Sequence, residues 1–296
     1  MAATAEAQPQ PVVVEESAAT KAVRVLSKTP VYLVIAFLGV LWLIPTLGLF
    51  FTSVIDPAEI GQIGWWEILS KPSEATFENY REIFDNEQIT SSIVTTIWVA
   101  LGGTILPIMI AALAAYAFAW LEFPGRDWLF LVVVGLLVVP LQMALIPIFS
   151  LYNTLGIFDT VLGLILFHTA FGLPFAIFLL RNFFIGIPRD LLEAARIDGA
   201  SELRIFLRVI LPLGLPAIAS LAIFQFLWVW NDLLVALTFG RDTQVITVAI
   251  FSQMRQFSAN IELIAPAAFV SLAIPLIVFF AFQRYFVQGL LAGSVK

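Results

Sequence analysis

The chain has 296 residues, of which 60% are hydrophobic and 12% charged, and its mean hydropathy is +0.97. A soluble domain carries about 25% charged residues, so this chain has too few charges to coat a water-exposed surface. Soluble enzymes, nucleic-acid binders and disordered proteins are excluded together. An all-α integral membrane protein of several helices remains. Net charge is −6, and for such a protein the side on which each charge lies matters more than the sum. With no cysteine there is no disulfide, iron–sulfur site or thiol nucleophile, and His168 alone cannot build a multi-imidazole zinc site. No metal site is expected.

Residues 1–29 open the chain, and the first 20 are mostly Ala, Glu, Pro, Gln and Val without helical period. They read as a disordered tail, not a cleaved signal, because the first apolar run begins only after Lys28-Thr29-Pro30 and is too long. Residues 30–296 then hold six apolar spans, near 31–53, 92–120, 128–150, 157–180, 213–236 and 265–286. Each is long enough to cross about 30 Å of hydrocarbon at about 1.5 Å per residue. Prolines interrupt them at 45, 107, 140, 147, 174, 216 and 275. A bundle can satisfy the carbonyls that proline frees, so kinked spans are expected.

Placing the N-terminus in the cytoplasm puts eleven basic residues inside and four outside, which obeys the positive-inside rule. Six spans return the C-terminus to the same side. The outer loop 54–91 carries eight acids and two bases. A short surface helix is predicted there, with Thr76 as N-cap and Phe77, Tyr80 and Phe84 on one face.

Between spans four and five lies a segment, 186–212, that does not cross the membrane. Pro188 suits a first helical position, Asp190 the first turn, and Gly199 a left-handed stop. Arg189, Glu193 and Arg196 form a polar stripe. Ser201 can cap a second helix with Leu203, Phe206, Leu207 and Ile210 on one face, Arg204 and Arg208 on another, and Pro212 at the turn into span five. Two arginine-rich amphipathic helices joined by a glycine fit a docking element, and equally an interfacial pair on anionic headgroups. Small residues at 194 and 195 favour close approach of a partner.

Glu193-Ala194-Ala195, Gly199 four residues on, and Val209-Ile210-Leu211-Pro212 resemble the EAA loop of ABC importer permeases. Val209 stands where that family has Ile. Further strings resemble the carbohydrate branch, in particular the smaller permease of the maltose-type transporter: Thr-Phe-Glu-Asn-Tyr (76–80), Ala-Ala-Tyr-Ala-Phe-Ala (114–119), Phe-Gly-Leu-Pro-Phe (171–175), Trp-Asn-Asp-Leu-Leu (230–234) and the ending 285–296. The resemblance covers about residues 22–296. It implies the type I ABC importer permease fold in a multi-pass inner (plasma) membrane protein of bacterial type. It also implies a second permease subunit, an ATPase dimer and an extracytoplasmic (periplasmic) sugar-binding protein as partners, and no nucleic acid. Coupling to the ATPase would fall to Glu193, Ala194, Ala195, Gly199, Arg189, Arg196, Leu211 and Pro212. The 288–296 tail is a second candidate contact with the ATPase.

No Gly-x-x-x-x-Gly-Lys-Ser/Thr occurs, so this chain is read as a non-catalytic subunit without cofactors. ATP and Mg would be bound by the partner ATPase. Gln142, His168 with Thr169, and Gln225 lie inside apolar runs, where they either line a path or bridge helices. A proton-relay role for His168 is disfavoured, because no carboxylate is expected at its depth. Asn231 and Asp232 beside Trp228 and Trp230 read as the polar end of an aromatic belt, or as an outer gate. A permease for a non-sugar solute and an ion-coupled secondary transporter are the alternatives, the latter requiring midplane charges and repeated halves. Gly64-Trp65-Trp66 leans toward the α-glucoside relatives.

Overall fold

Long uncharged apolar runs cannot leave backbone groups unpaired in lipid, so they must be helical. The computed structural model describes the backbone of residues 18–256 and 260–294, with side chains described over 28–255 and 260–284. Twelve α-helices occur among the described residues, and the only β features are isolated bridges, Ile55 to Ala75 and Ile60 to Ile63.

The chain divides into two compact units at Gly48/Leu49. The first contains most of α1 (Ala18–Ser53). Every described residue from Lys28 to Leu43 is exposed there, Trp42 by 80%, as suits a helix facing hydrocarbon. The helix begins at Ala18, inside the segment expected to be a disordered tail, and residues 1–17 lie outside the described residues.

In the second unit α2 (Glu78–Asp85) is the short helix of the 54–91 loop. Its buried face is Asn79 and Ile83, whereas Phe77 and Phe84 are exposed, and the Phe77 and Tyr80 rings lie 6.0 Å apart. Phe77 takes the N-cap position, and the Thr76 hydroxyl accepts the Glu78 N–H at 3.1 Å. Asn79 is drawn inward by hydrogen bonding, since its amide donates to the carbonyls of Ser53 (3.0 Å) and Ile55 (2.8 Å) where α1 ends. Those carbonyls have no partner further along a helix, and Asn79 supplies one.

The centre of this unit is built from α3 (Glu87–Trp120), α6 (Val161–Ile185), α9 (Leu211–Trp230) and α12 (Ile261–Ser294). On α3 the buried face reads Ala100, Gly103, Thr104, Pro107, Ile108, Ala111, Ala112 and Ala115. Small residues let backbones approach where lipid offers no hydrophobic drive. Trp230 is fully buried and donates to the Ser271 carbonyl of α12 at 2.9 Å.

Span three is not one kinked helix. It is broken into α4 (Arg126–Leu136) and α5 (Leu141–Leu155), bent by 100°. Pro140 lacks an N–H, and its ring conflicts with a helical carbonyl four residues back, at Leu136. Pro45, Pro107, Pro174, Pro216 and Pro275 stay within continuous helices. Among the described residues five helices are long and apolar enough to span a membrane, and six if the bent pair α4–α5 is counted as one span.

Candidate functional site

The 186–212 segment folds as α7 (Arg189–Ile197), α8 (Glu202–Ile205) and a π-helical turn (Phe206–Ile210) that runs directly into α9. Pro188 occupies the N-cap rather than the first helical position. At the other end Gly199 has φ +78°, its N–H reaches the Arg196 carbonyl, and Ala200 N–H reaches the Ala195 carbonyl, both at 3.0 Å. This pairing is a Schellman stop, and the left-handed residue it needs is the expected glycine.

Leu192 anchors α7. It is fully buried in a cluster with Tyr116, Phe184, Ile205, Phe206 and Ile210. The opposite face carries Asp190, Glu193, Ala194 and Ile197, all exposed, with Ile197 exposed by 86%. An isoleucine so exposed at the tip of a polar helix is an apolar contact point without a cover in the isolated chain. Arg189 donates to Glu193 at 2.8 Å, one turn apart.

Arg196 leaves the expected stripe. It donates to both carboxylate oxygens of Glu202, at 2.9 and 3.4 Å. Tyr116 of α3 donates its hydroxyl to the same carboxylate. Glu202 therefore ties α7 to α8 and both to α3. Sequence reading missed Glu202 and Tyr116, although Tyr116 lies in the 114–119 string.

The second helix differs in two respects. Ser201 sits at the N-cap but its hydroxyl makes no cap bond. Ile205, Phe206 and Ile210 are buried while Leu203 and Leu207 are exposed by 62% and 50%. The π turn explains the shift, because it pairs residues five apart and stacks Ile210 under Ile205. The Leu211 N–H bonds to the Phe206 carbonyl. Pro212 therefore marks no turn, and the wider π turn lets the helix run through it from Glu202 to Trp230.

The polar residues of the spans separate into two groups. Gln142 lies on the exposed face of α5, and Asn231 is exposed with its amide bonded back to the Leu227 carbonyl at 2.8 Å. Gln225 and His168 meet inside the unit where α3, α6 and α9 converge. Gln225 is buried and donates to the Gly103 carbonyl at 2.9 Å, with the His168 carbonyl at 3.4 Å. Thr169 bonds its own helix, at the Ile165 carbonyl. The Gln225 contacts bridge α9 to α3 and α6, whereas that of Thr169 stays within α6.

His168 has a carboxylate neighbour that the sequence did not reveal: Asp232 Oδ2 lies 3.8 Å from His168 Nε2. The chain stops its helix at Trp230 and turns back into α10 (Leu234–Phe239). The Val235 and Ala236 N–H groups then hold the Asp232 carboxylate at 3.3 and 3.0 Å. At 3.8 Å the contact is too long for a hydrogen bond. No group of three or more potential metal ligands occurs among the described residues.

A family model described as "Binding-protein-dependent transport system inner membrane component" matches residues 108–291, which include the whole 186–212 segment. The chain belongs to this family. It is a multi-pass inner-membrane permease component of a binding-protein-dependent transport system. Among curated relatives, the osmoprotective compounds uptake permease protein GgtD of Synechocystis sp. is 46% identical over 91% of this chain and 92% of its own length. The alpha-glucoside transport system permease protein AglG of Rhizobium meliloti is 53% identical over 76% of this chain, which spans 61% of that longer relative. The trehalose transport system permease protein SugB of Mycobacterium tuberculosis is 38% identical over 88% of this chain and 93% of its own length. A chain in the crystal structure of a bacterial ABC transporter involved in alginate import superposes with TM-score 0.71 at 20% identity, covering 93% of this chain and 100% of that one. The fold is thus that of a type I ABC importer permease.

Proposed function

We propose that this chain is a permease subunit of an ATP-driven sugar importer and that α7 is its contact with a separate ATPase subunit. The observation that carries the coupling role is the outward face of α7, where Asp190, Glu193, Ala194 and Ile197 project from a helix held by buried Leu192. Small Ala194 permits close approach, Ile197 offers an apolar knob, and Glu193 offers a charge for a basic partner. Force on that face passes through Glu202 to Tyr116 on α3, and through the continuous π turn to α9.

The relatives named for alpha-glucoside and trehalose transport support a small glycoside as the solute. The distribution of basic residues supports cytoplasmic termini, with α7 on the cytoplasmic side and residues 54–91 outside. A second permease, an ATPase dimer and an extracytoplasmic binding protein complete the proposed assembly, with ATP and Mg on the ATPase. The test is purification of the complex from its native membrane. Recovery of an ATPase and a second permease is the expected result, and a lone chain that takes up solute would overturn the proposal.

A further inference from the structure

At the end of the helices opposite α7, a cavity of about 430 Å³ opens between α5, α10 and α11 (Ile246–Gln256). That volume lies within the range of small-molecule sites, about 300–1,000 Å³. Two phenylalanines form one wall: Phe149 and Phe158 meet edge to face, 4.9 Å between centroids at 72°. Facing them are Arg241, Gln244, Thr238 and Ser252. Both Arg241 and Ser252 line the space, and among the described residues Arg241 forms no ion pair and Ser252 no hydrogen bond, which leaves a guanidinium and a hydroxyl available to a ligand. Among the described residues no carboxylate lines it.

The polar wall is held in place. Asp159 takes a left-handed conformation (φ 57°) and its carboxylate accepts the N–H groups of Asp242 (3.0 Å) and Thr243 (2.9 Å). The Thr243 hydroxyl returns a bond to the Asp159 carbonyl at 2.7 Å. Arg241 is therefore carried on a pinned loop. Gln88 of α3 donates to Gln244 at 2.9 Å and fixes that amide too.

A ring with a C–H face and a rim of hydroxyls matches this wall pair. Aromatic rings pack on the C–H face, and guanidinium, amide and hydroxyl groups bond the rim. We infer that this cavity is a glycoside-binding subsite, which receives a neutral sugar before it enters the path. The inference rests on the reading of the chain as a sugar permease.

The test uses the assembled transporter with maltose, trehalose and sucrose as probes. Arg241→Ala is expected to raise the uptake KM by about tenfold, the loss of one to two hydrogen bonds to solute, with the solute-free ATPase rate unchanged. Because the chain has no cysteine, Ser252→Cys provides a single thiol. A membrane-impermeant maleimide should label it, and excess sugar should suppress the labelling. Normal wild-type uptake with an unchanged KM in Arg241→Ala and no protection of the thiol would overturn the subsite alone, as would a thiol that never labels. Failure of the wild-type transporter to take up any of the probes would overturn the sugar reading, and the subsite with it.

Discussion

Tyr116 on α3 and Glu202 at the start of α8 are joined by a hydrogen bond between residues 86 positions apart, and the same carboxylate receives Arg196 of α7. One acidic side chain thus fastens the outward-facing helix to a membrane span. A hydrogen bond to a charged group contributes about 1.5–3 kcal/mol. Tyr116→Phe is expected to leave insertion intact, to increase amide exchange across α7 and α8, and to lower sugar uptake. Hydrogen exchange of the purified complex checks the loosening of α7 and α8, and whole-cell uptake at matched membrane content checks the rest.

Glu193→Lys and Gly199→Asp are expected to abolish uptake while the protein still inserts. Gly199→Ala separates face from backbone. A Cβ at 199 meets no atom within 4 Å, so its cost is conformational, about 1–2 kcal/mol at φ +78°. Asp tolerates that conformation better than Ala, so a larger uptake defect in Gly199→Asp would show that the face matters. Uptake assays on the three variants at matched membrane content decide this.

Gly172 and Gln225 fit one another. A Cβ at 172 would stand 2.5 Å from Gln225 Nε2, so Gly172→Ala must push the amide away from the Gly103 carbonyl. Interhelical hydrogen bonds in membranes average about 0.6 kcal/mol, with a maximum near 1.7. Both Gly172→Ala and Gln225→Leu are expected to lower the Tm of the purified complex with little change in the uptake KM. A rise in KM without a drop in Tm would place Gln225 on the solute path instead.

Asn79 closes the end of α1 from within the 54–91 loop. Asn79→Asp keeps the shape but replaces the donor of two hydrogen bonds with a buried acceptor facing two carbonyls. Loss of the donor alone costs about 1–3 kcal/mol, and a buried charge costs more. Reduced membrane yield and faster proteolysis of residues 54–86 are expected, and limited digestion of spheroplasts measures both.

Much of this could be read from the chain alone. Apolar runs gave the spans, Gly199 its left-handed stop, and the Glu193–Gly199 spacing the family. Outcomes that depend on one helix meeting another were hidden. The expected face of α8 failed because a π turn, invisible to a 3.6-residue period, aligns Ile210 with buried Ile205 and not with Leu203 and Leu207, which are exposed. Nothing in the 76–84 pattern showed that Asn79 would be the buried residue, because it goes in to satisfy backbone carbonyls that another segment presents.

Composition and sparse charge therefore determined by themselves that this protein lives in a bilayer as a set of helices. The reason is general: too few polar groups exist to solvate so much apolar surface. The tertiary structure alone decided that span three breaks at Pro140, that Asp232 folds back toward His168, and that Glu202 binds Tyr116. Each depends on contacts between residues far apart in the chain, which no local period or motif records.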